Sequence, residues 1–563
     1  MVLDDSGARA DSHAHSHAQP HAQPHTHSHT HSHSHTHGPS EPPLREITLG
    51  GLLGEAAETC PDRLALVTGE SNPAERRQWT YAELYAEALS VARALAERFE
   101  PGERIAIWAP NIPEWVLMEF GSALAGTILV TVNPAYRAEE VAYVLKQSRS
   151  VGIFVLPHFR GNAMLRSVEQ VRAECPELRE VIRFDEWEAF VALGRDSQPE
   201  LPEVRPGDPT MIQYTSGTTG FPKGALLHHR GLVNNGAHTI DRMGVDEGSV
   251  WITAMPLFHT GGCVLCVLGA VSKKATQVLV EQFEPGLVLE LIEAFGAQGM
   301  VGVPTMLIAM LEHPDFARRN LSSLRTMTSG GSTVPEALVA RFEKELGVDF
   351  TIVFGQTECS PVASMTRPDD SVEDKGTTLG PPMPHVEIKI IDPDSGETLP
   401  LDTMGEYCTR GYHVMHEYFE MKEATAETID ADGWLHTGDL CSMDERGYTK
   451  VEGRLKDMII RGGENIYPRE IEDALFQHED VAEVAVVGLP DDRMGEVVGV
   501  FLRPAAGREI HRKRLFDYLR QHLSPQKTPS LWFVVDEFPL TGSGKIQKFA
   551  LRKQWENGAH KGI

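Results

Sequence analysis

Residues 214–224 read YTSGTTGFPKG, and this stretch carries the strongest local signal in the chain. It combines glycines and hydroxyl side chains in a short loop that ends in Pro-Lys-Gly. Such a loop lets backbone N–H groups approach a phosphate closely, and Lys223 adds a cation. The spacing differs from the GxxxxGK[ST] of a Walker loop, which disfavours a P-loop kinase or ATPase. The stretch therefore predicts a different phosphate-binding loop, with a flexible surface loop as the alternative.

Short apolar runs alternate with amphipathic segments from about residue 45 onward. The runs at 104–108 (RIAIW), 152–156 (GIFVL) and 250–254 (VWITA) have the length and composition of strands. Residues 81–99 and 139–147 show the apolar spacing of helices. This alternation predicts an α/β fold with mainly parallel sheets and helices on both faces.

The C-terminal part of the chain has a different pattern. Residues 468–477 are typical of a helix, residues 481–488 (VAEVAVVG) of a buried strand, and residues 490–492 of a turn. We expect a small separate α+β unit here.

Composition excludes several classes of protein. The chain has 563 residues and a net charge of −28, and such an acidic surface repels nucleic acid and anionic lipid. No apolar stretch approaches the ~20 residues of a membrane span, so no integral membrane segment is expected. Its seven scattered cysteines favour a reducing cytoplasm over a disulfide framework.

Residues 1–44 differ from everything after them. Eleven of the 25 histidines lie between His13 and His37, mostly alternating with Ser, Thr or Ala. Such a segment has little apolar surface to bury, which predicts a disordered His-rich tail. Alternating imidazoles bind divalent transition metals such as Zn²⁺, Ni²⁺ or Cu²⁺. The composition fits either a metal-binding tail or a merely solvated one.

Two further motifs combine groups that suit a nucleotide. Residues 354–358 (FGQTE) place a ring, a hydroxyl and a carboxylate together, which can stack on a base, contact a phosphate and hold Mg²⁺ through Glu358. In residues 433–440 (GWLHTGDL), Asp439 is placed to accept hydrogen bonds from ribose hydroxyls, with a turn or helix cap as the alternative.

The C-terminal motifs carry cations and glycines. Residues 453–457 (GRLKD) offer Arg454 to ribose or phosphate, and residues 461–468 (RGGENIYP) contain two adjacent glycines. Residues 539–548 (PLTGSGKIQK) place Lys545 on a Gly-Ser-Gly turn, from which it can bring a point charge to a distant site. A lone lysine of this kind is otherwise an exposed loop residue.

In their order along the chain, YTSGTTGFPKG, FGQTE, GWLHTGDL, GRLKD and PLTGSGKIQK resemble the adenylate-forming (AMP-binding) superfamily. That superfamily includes acyl-CoA synthetases, firefly luciferases and peptide-synthetase adenylation domains. The resemblance implies a large N-terminal region of three subdomains with mixed sheets and helices, and a small mobile α+β domain. It places the N-terminal domain at 45–455 and the C-terminal domain at 456–563.

The resemblance also implies roles for individual residues. Thr357 contacts the α-phosphate, Glu358 holds Mg²⁺, and Lys545 bridges the carboxylate and the α-phosphate. Lys456 is the hinge. The other residues implied to bind ATP are Thr215, Ser216, Gly217, Thr218, Thr219, Gly220, Lys223, Gly331, Phe354, Gly355, Asp439 and Arg454. The CoA-side loop is implied to contain Gly462, Gly463 and Glu464.

The implied activity is an ATP-dependent carboxylate–CoA ligase that forms an acyl-adenylate and then a thioester, with ATP, Mg²⁺ and CoA. The acid pocket is expected to include His259, Gly302, Val303 and Ser329, which favour an uncharged acyl chain. The segment FGQTECSPV and residues 302–305 (GVPT) look most like medium-chain fatty acyl-CoA synthetases.

The open alternatives are loading of a carrier protein, a luciferase-like oxygenase, and a metal-binding protein that acts through the His-rich tail. The sequence does not indicate the oligomeric state.

Overall fold

The computed structural model describes residues 33–215, 222–332, 334–541 and 545–563. The strands of the first half, in chain order, are β1 (His35–His37), β2 (Leu64–Thr68), β3 (Gln78–Thr80), β4 (Arg104–Trp108), β5 (Ile128–Val132), β6 (Gly152–Val155), β7 (Glu180–Arg183), β8 (Pro209–Tyr214), β9 (Gly224–His228), β10 (Val250–Thr253), β11 (Thr276–Leu279) and β12 (Gly299–Val301).

The strands of the second half are β13 (Thr326–Gly330), β14 (Asp349–Gly355), β15 (Val362–Met365), β16 (Val386–Ile391), β17 (Gly405–Gly411), β18 (Glu417–Tyr418), β19 (Leu435–Met443), β20 (Thr449–Arg454), β21 (Ile459–Arg461), β22 (Glu464–Ile466), β23 (Val481–Asp491), β24 (Gly495–Pro504) and β25 (Leu531–Val534).

The α-helices are α1 (Leu49–Thr59), α2 (Tyr81–Ala96), α3 (Pro113–Ala125), α4 (Ala138–Gln147), α5 (Met164–Val171), α6 (Trp187–Ser197), α7 (His229–Arg242), α8 (Gly269–Ser272), α9 (Pro285–Phe295), α10 (Pro304–Glu312), α11 (Glu336–Leu346), α12 (Val372–Thr377), α13 (Lys422–Thr428), α14 (Pro468–Phe476), α15 (Arg512–His522) and α16 (Lys548–Glu556). A π-helix, Gly261–Leu268, precedes α8.

Two large sheets form the body of the molecule. One has the strand order β15-β14-β13-β12-β10-β11-β2-β3, and the other the order β18-β9-β8-β5-β4-β6-β7. The strands from β14 to β2 of the first sheet pair in parallel, as do those from β8 to β7 of the second. Buried apolar runs such as that of β5 therefore lie between helices, and the predicted α/β class is confirmed.

A third sheet is antiparallel, in the order β1-β16-β17-β19-β20. Its first strand corrects one prediction. Residues 1–44 were expected to be disordered throughout, but β1 pairs with β16 and Ser34 and Thr36 are buried. The alternating side chains of a strand explain this, because the small hydroxyl residues face inward while the imidazoles face outward.

The C-terminal unit has its own sheet, in which β22, β21, β24 and β23 are neighbours and β25 pairs with β24. Separate apolar clusters lie on its two faces, one around Trp532 and the other around Phe501. The expected turn at 490–492 is wrong in part, since β23 continues through Asp491. We call residues 459–563 the small lobe and the described residues before β21 the large lobe. Among the described residues, no helix is long and apolar enough to cross a membrane.

Candidate active site

A cavity of about 610 Å³ lies where the strands of all three large-lobe sheets end. Its lining includes Val301 to Val303 after β12, Gly330 and Gly331 after β13, and residues 353–355 at the end of β14. Thr131 and Tyr214 come from the ends of β5 and β8 in the second sheet. The carboxyl ends of neighbouring parallel strands are the usual place for a ligand in an α/β protein.

The FGQTE segment crosses the floor of this cavity. Phe354 packs edge-on against Tyr407, with ring centroids 5.0 Å apart, and leaves its other surface to the cavity. Gly355 must be glycine, because a Cβ there would lie 2.0 Å from the carbonyl oxygen of Pro361. Thr357 and Glu358 follow in a short 3₁₀ turn and are buried, yet both line the cavity.

The Glu358 carboxylate is held by a residue that the sequence did not single out. Tyr418 donates its hydroxyl to Glu358 Oε1, and the backbone N–H of Met415 donates to the Glu358 carbonyl at 2.8 Å. Burial and the neighbouring Glu358 raise the pKa of Tyr418, which keeps the phenol protonated. Tyr418 sits on β18, which pairs with β9, and Lys223 lies over its ring at 4.6 Å. No local motif marks this long-range contact.

Asp439 and Arg454 form an ion pair on the third sheet. They are cross-strand partners in β19 and β20, and Arg454 Nε donates to Asp439 Oδ1 at 2.6 Å. The Asp439 carboxylate raises the pKa of Arg454. Thr437 accepts a 3.1 Å hydrogen bond from the Asp439 backbone, which fixes the strand beside the cavity.

Glu406 and His436 are two further lining residues that the sequence analysis did not assign. Glu406 accepts from Gly438 N at 3.0 Å and lies 2.9 Å from His436 Nδ1. The hydrogen bond with Glu406 raises the pKa of His436. His436 lies within GWLHTGDL, so its motif was a usable signal, whereas Glu406 is brought in only by the pairing of β17 with β19.

The small lobe contributes Thr541 and Lys545 to the cavity lining, both from its lysine turn, residues 539–547. Lys545 lines the cavity, and a Cβ added to Gly331 would lie 3.4 Å from its Cε. The turn is closed by Thr541 N donating to the Lys545 carbonyl at 2.7 Å and Lys545 N donating to Thr541 Oγ1 at 3.0 Å. Burial, with Arg454 nearby, lowers the pKa of Lys545 to about 8. The turn therefore holds a cation of reduced basicity inside the cavity.

His259 lies on the apolar side of the same cavity. Its Nδ1 accepts from Gly261 N at 3.2 Å, just before the π-helix. Burial and Lys545 lower the pKa of His259 to about 4, so the ring is neutral at pH 7. Gly302 and Val303 line the cavity as well.

Most described candidates from the sequence meet at this cavity, and Lys456 is among its lining residues. Ser329 is not among them, and it is buried in β13 with no hydrogen-bond partner for its hydroxyl among the described residues. Five residues of the predicted phosphate loop lie outside the described residues: Ser216, Gly217, Thr218, Thr219 and Gly220. The two ends of that loop, Thr215 and Lys223, line the cavity. The backbone N–H of Thr215 donates to the Lys223 carbonyl at 2.9 Å.

Gly462, Gly463 and Glu464 do not line the cavity either. The two glycines form the turn between β21 and β22, where Arg461 pairs with Glu464. Their φ angles are 60° and 86°, the left-handed values that a two-residue hairpin turn of this type requires at both positions. We refer to this exposed turn as the glycine hairpin.

The chain is similar to proteins of one kind. The family model described as "AMP-binding enzyme" matches residues 53–419, and "AMP-binding enzyme C-terminal domain" matches residues 470–545. The putative acyl-CoA synthetase YngI of Bacillus subtilis is 39% identical over 535 residues, covering 90% of this chain and 97% of that protein. The mitochondrial medium-chain acyl-CoA ligase ACSF2 of Danio rerio is 37% identical, covering 92% and 90% respectively.

Solved structures agree with the sequence comparisons. The crystal structure of ATP-bound MatB from Rhodopseudomonas palustris superimposes with a TM-score of 0.82 at 27% identity, covering 91% of this chain and 99% of that one.

Proposed function

The chain belongs to the AMP-binding enzyme family, and on that premise we propose that it converts a medium-chain fatty acid to its CoA thioester. It is an acid–thiol ligase that uses ATP, Mg²⁺ and CoA, forming an acyl-adenylate and then a thioester with release of AMP and pyrophosphate. Its substrates are small molecules.

The observation that carries the substrate class is the chemistry of one side of the cavity. Between Met255 and Val353, the lining residues bear no formal charge at neutral pH, because His259 is neutral there. They are Met255, Phe258, His259, Gly261, Leu265, Val301, Gly302, Val303, Gly330, Gly331 and Val353. An alkyl chain gains hydrophobic free energy on this side, whereas a second carboxylate would find no cation among these residues. The name of the ACSF2 relative agrees with a medium chain.

We assign the polar side of the cavity to ATP. Thr215 and Lys223 flank the phosphates, Phe354 packs on the adenine together with Gly355 and Gly331, and Asp439 accepts from the ribose hydroxyls with Arg454 beside it. The Glu358 carboxylate, oriented by Tyr418, is a hard oxygen donor of the kind that Mg²⁺ prefers. When bound, Mg²⁺ neutralises phosphate charge.

The first half-reaction brings together two anions, the fatty carboxylate and the α-phosphate. The carboxylate oxygen attacks the α-phosphorus and the bond to pyrophosphate breaks, so no protein nucleophile is needed. Lys545 lies where its ammonium group can contact both anions, and Thr357 can donate its hydroxyl to the α-phosphate. Fixed charges and positioning then supply the catalysis.

In the second half-reaction the CoA thiol attacks the acyl carbon and AMP leaves. Lys545 would then obstruct the thiol's approach, so we assign the glycine hairpin, Gly462 to Glu464, to the CoA side after rotation of the small lobe about Lys456. Lys456 lies in the 3₁₀ turn Leu455–Asp457, between the last strand of the third sheet and the first strand of the small lobe. We accordingly place the domain boundary at 455/456.

Two further assignments concern the setting of the enzyme. A cytoplasmic location is supported by the seven cysteines, all of which are free thiols and six of which are buried. The alternating histidines support binding of a divalent transition metal by the tail.

A chain-length series tests the substrate class. Straight-chain acids of increasing length are supplied with ATP, Mg²⁺ and CoA, and acyl-CoA is measured by mass spectrometry. We expect kcat/KM to peak at about six to twelve carbons, because each methylene that fits the pocket adds to discrimination. The α,ω-dicarboxylic acid of the best length is the matched control and should react far more slowly. A preference for acetate or for the dicarboxylic acid would contradict the proposal.

A further inference from the structure

The outer face of the β1–β16 pair gathers two imidazoles and a carboxylate. In the antiparallel register, His37 lies opposite Glu387 and His35 opposite Lys389. Residues two apart on a strand share a face, so His35, His37 and Glu387 all point away from the core. Thr36 and Ile388, which are buried, occupy the inner face.

The three side chains are close enough to share one ion. Glu387 Oε2 lies 3.5 Å from His35 Nε2 and 3.7 Å from His37 Nδ1. One ligand atom from each residue lies within 4.8 Å of the others. The centroids of the two imidazole rings are 4.9 Å apart, and the ring planes are tilted by 46°. One nitrogen of each ring faces the Glu387 carboxylate.

The position of the His35 side chain is fixed by its surroundings. Its Nε2 is shielded from solvent and makes no well-aligned hydrogen bond, since its nearest partner is the Glu387 carboxylate at 3.5 Å, an unfavourable state for a polar atom. The ring is fixed by an edge-on contact with Trp434, at 5.7 Å between centroids. The strand itself is anchored, since Ser34 N donates to the Leu399 carbonyl at 2.8 Å and Gly38 N donates to the Val386 carbonyl at 2.7 Å.

The geometry points to a transition-metal site in which His35, His37 and Glu387 bind one ion of the Zn²⁺, Cu²⁺ or Ni²⁺ class and fasten the end of the His-rich tail to the third sheet. Imidazole nitrogens with one carboxylate suit these metals, and coordination would give the shielded His35 nitrogen a well-aligned partner. The site is independent of the adenylation chemistry. It differs from metal binding by the tail in requiring a ligand, Glu387, some 350 residues away.

One cation, Arg410, contacts the carboxylate, and a second, Lys389, lies nearby over the ring of Trp434. Arg410 donates to both oxygens of Glu387, at 3.0 Å and 2.8 Å from Nη2, and Lys389 lies over Trp434 at 4.3 Å from the ring. A carboxylate has about four lone-pair sites, so Glu387 can accept from Arg410 and still bind an ion. Because Arg410 shares this single carboxylate, binding depends mainly on the two imidazole nitrogens, which suit Zn²⁺, Cu²⁺ or Ni²⁺ better than Ca²⁺ or Mg²⁺.

Hydrogen exchange of the full-length enzyme tests the site. Binding that requires the β1–β16 pairing slows exchange of the β1 amides by a factor of 1 + [Zn²⁺]/Kd, about tenfold at ten times Kd. Zn²⁺ should therefore protect the peptide spanning residues 34–40 in the wild type and in H29Q/H31Q. It should not protect this peptide in H35Q/H37Q or in E387Q. H29Q/H31Q is the matched control, because it removes two alternating histidines of the same tail.

Quenching of Trp434 by Cu²⁺ provides a second readout that does not depend on strand opening. Cu²⁺ at the site lies close to this ring, so titration should quench a component of the fluorescence that is absent from W434F and that persists unquenched in H35Q/H37Q. Equal zinc protection in the wild type and E387Q, or copper quenching unchanged by W434F, would overturn the proposal.

Discussion

The lysine turn and the glycine hairpin belong to the same small lobe but have opposite surroundings. Lys545 projects into the cavity beside Gly331, whereas Gly462, Gly463 and Glu464 lie outside the cavity lining. Both turns are short and glycine-containing, so their local sequences do not explain the difference. The difference comes from the orientation of the small lobe, which faces the lysine turn toward the cavity and the glycine hairpin away from it. We propose that this orientation lets the lysine turn serve the first half-reaction and that rotation brings the glycine hairpin to the same place for the second.

The largest expected effect separates the two half-reactions directly. Lys545→Ala removes the cation that we propose contacts both anions, so acyl-adenylate formation should fall by at least about 100-fold. Thioester formation from supplied acyl-adenylate should change little. Single-turnover assays of each half-reaction measure both rates.

Lys548→Ala is the matched control for this variant, because Lys548 lies three residues further on and is paired with Glu472 instead of facing the cavity. Equal loss of both half-reactions in Lys545→Ala would contradict the assignment of the lysine turn to adenylation.

The next effect tests the proposed rotation of the small lobe, which would replace the lysine turn at the cavity by the glycine hairpin. Proline at Lys456 restricts the backbone of the turn Leu455–Asp457, and a misfitting proline costs about 3 kcal/mol. Lys456→Pro should leave adenylation near the wild-type rate and slow thioester formation by roughly 10- to 100-fold. Lys456→Ala should behave like the wild type. An unchanged steady-state rate in Lys456→Pro would argue against a hinge here.

A smaller effect should come from the glycine hairpin. Gly463 has a φ of 86° and open space where a Cβ would lie, so alanine there adds only backbone strain of about 1 kcal/mol. Gly463→Ala should slow thioester formation about fivefold without affecting adenylation. Gly558→Ala is the matched control, since Gly558 also has a positive φ and open surroundings in the small lobe. Slower adenylation in Gly463→Ala would contradict the assignment of the glycine hairpin to thioester formation.

The smallest effect is a pH dependence. A lysine with a pKa of about 8 loses its charge as pH rises through that value, while an ordinary lysine keeps it to above pH 10. The kcat/KM for ATP in the pyrophosphate exchange reaction should therefore fall as pH rises through about 8, where it should be about half of its low-pH plateau. Thioester formation should not share this fall. An exchange rate that stays flat to pH 10 would contradict the lowered pKa of Lys545.

Parts of the site that lie within a few consecutive residues could be predicted from the sequence, whereas parts that depend on contacts between residues far apart in the sequence could not. The segments of Phe354 to Glu358 and of Asp439 could be singled out because their pattern lies in a few consecutive residues, and the structure brings both to the cavity region. Tyr418 was missed because it reaches Glu358 only through the pairing of β18 with β9. Ser329 was assigned to the pocket from its neighbours, but strand alternation buries its side chain while Gly330 and Gly331 line the cavity.

The same reasoning applies to the fold. The strand β4 was predicted to the residue, and β6 and β10 to within one residue, because a buried parallel strand is marked by its own composition. The strand His35–His37 was not, because its composition is that of a disordered tail and only the edge of β16 makes it a strand. The antiparallel sheet that holds Asp439 was likewise not foreseen.

The most direct test of the account is exchange of labelled pyrophosphate into ATP by the wild-type enzyme with Mg²⁺ and no CoA. The account predicts exchange that depends on a medium-chain acid, because the cavity joins acid and nucleotide before any thiol arrives. Absence of exchange with every acid offered, by an enzyme that still binds ATP, would contradict it.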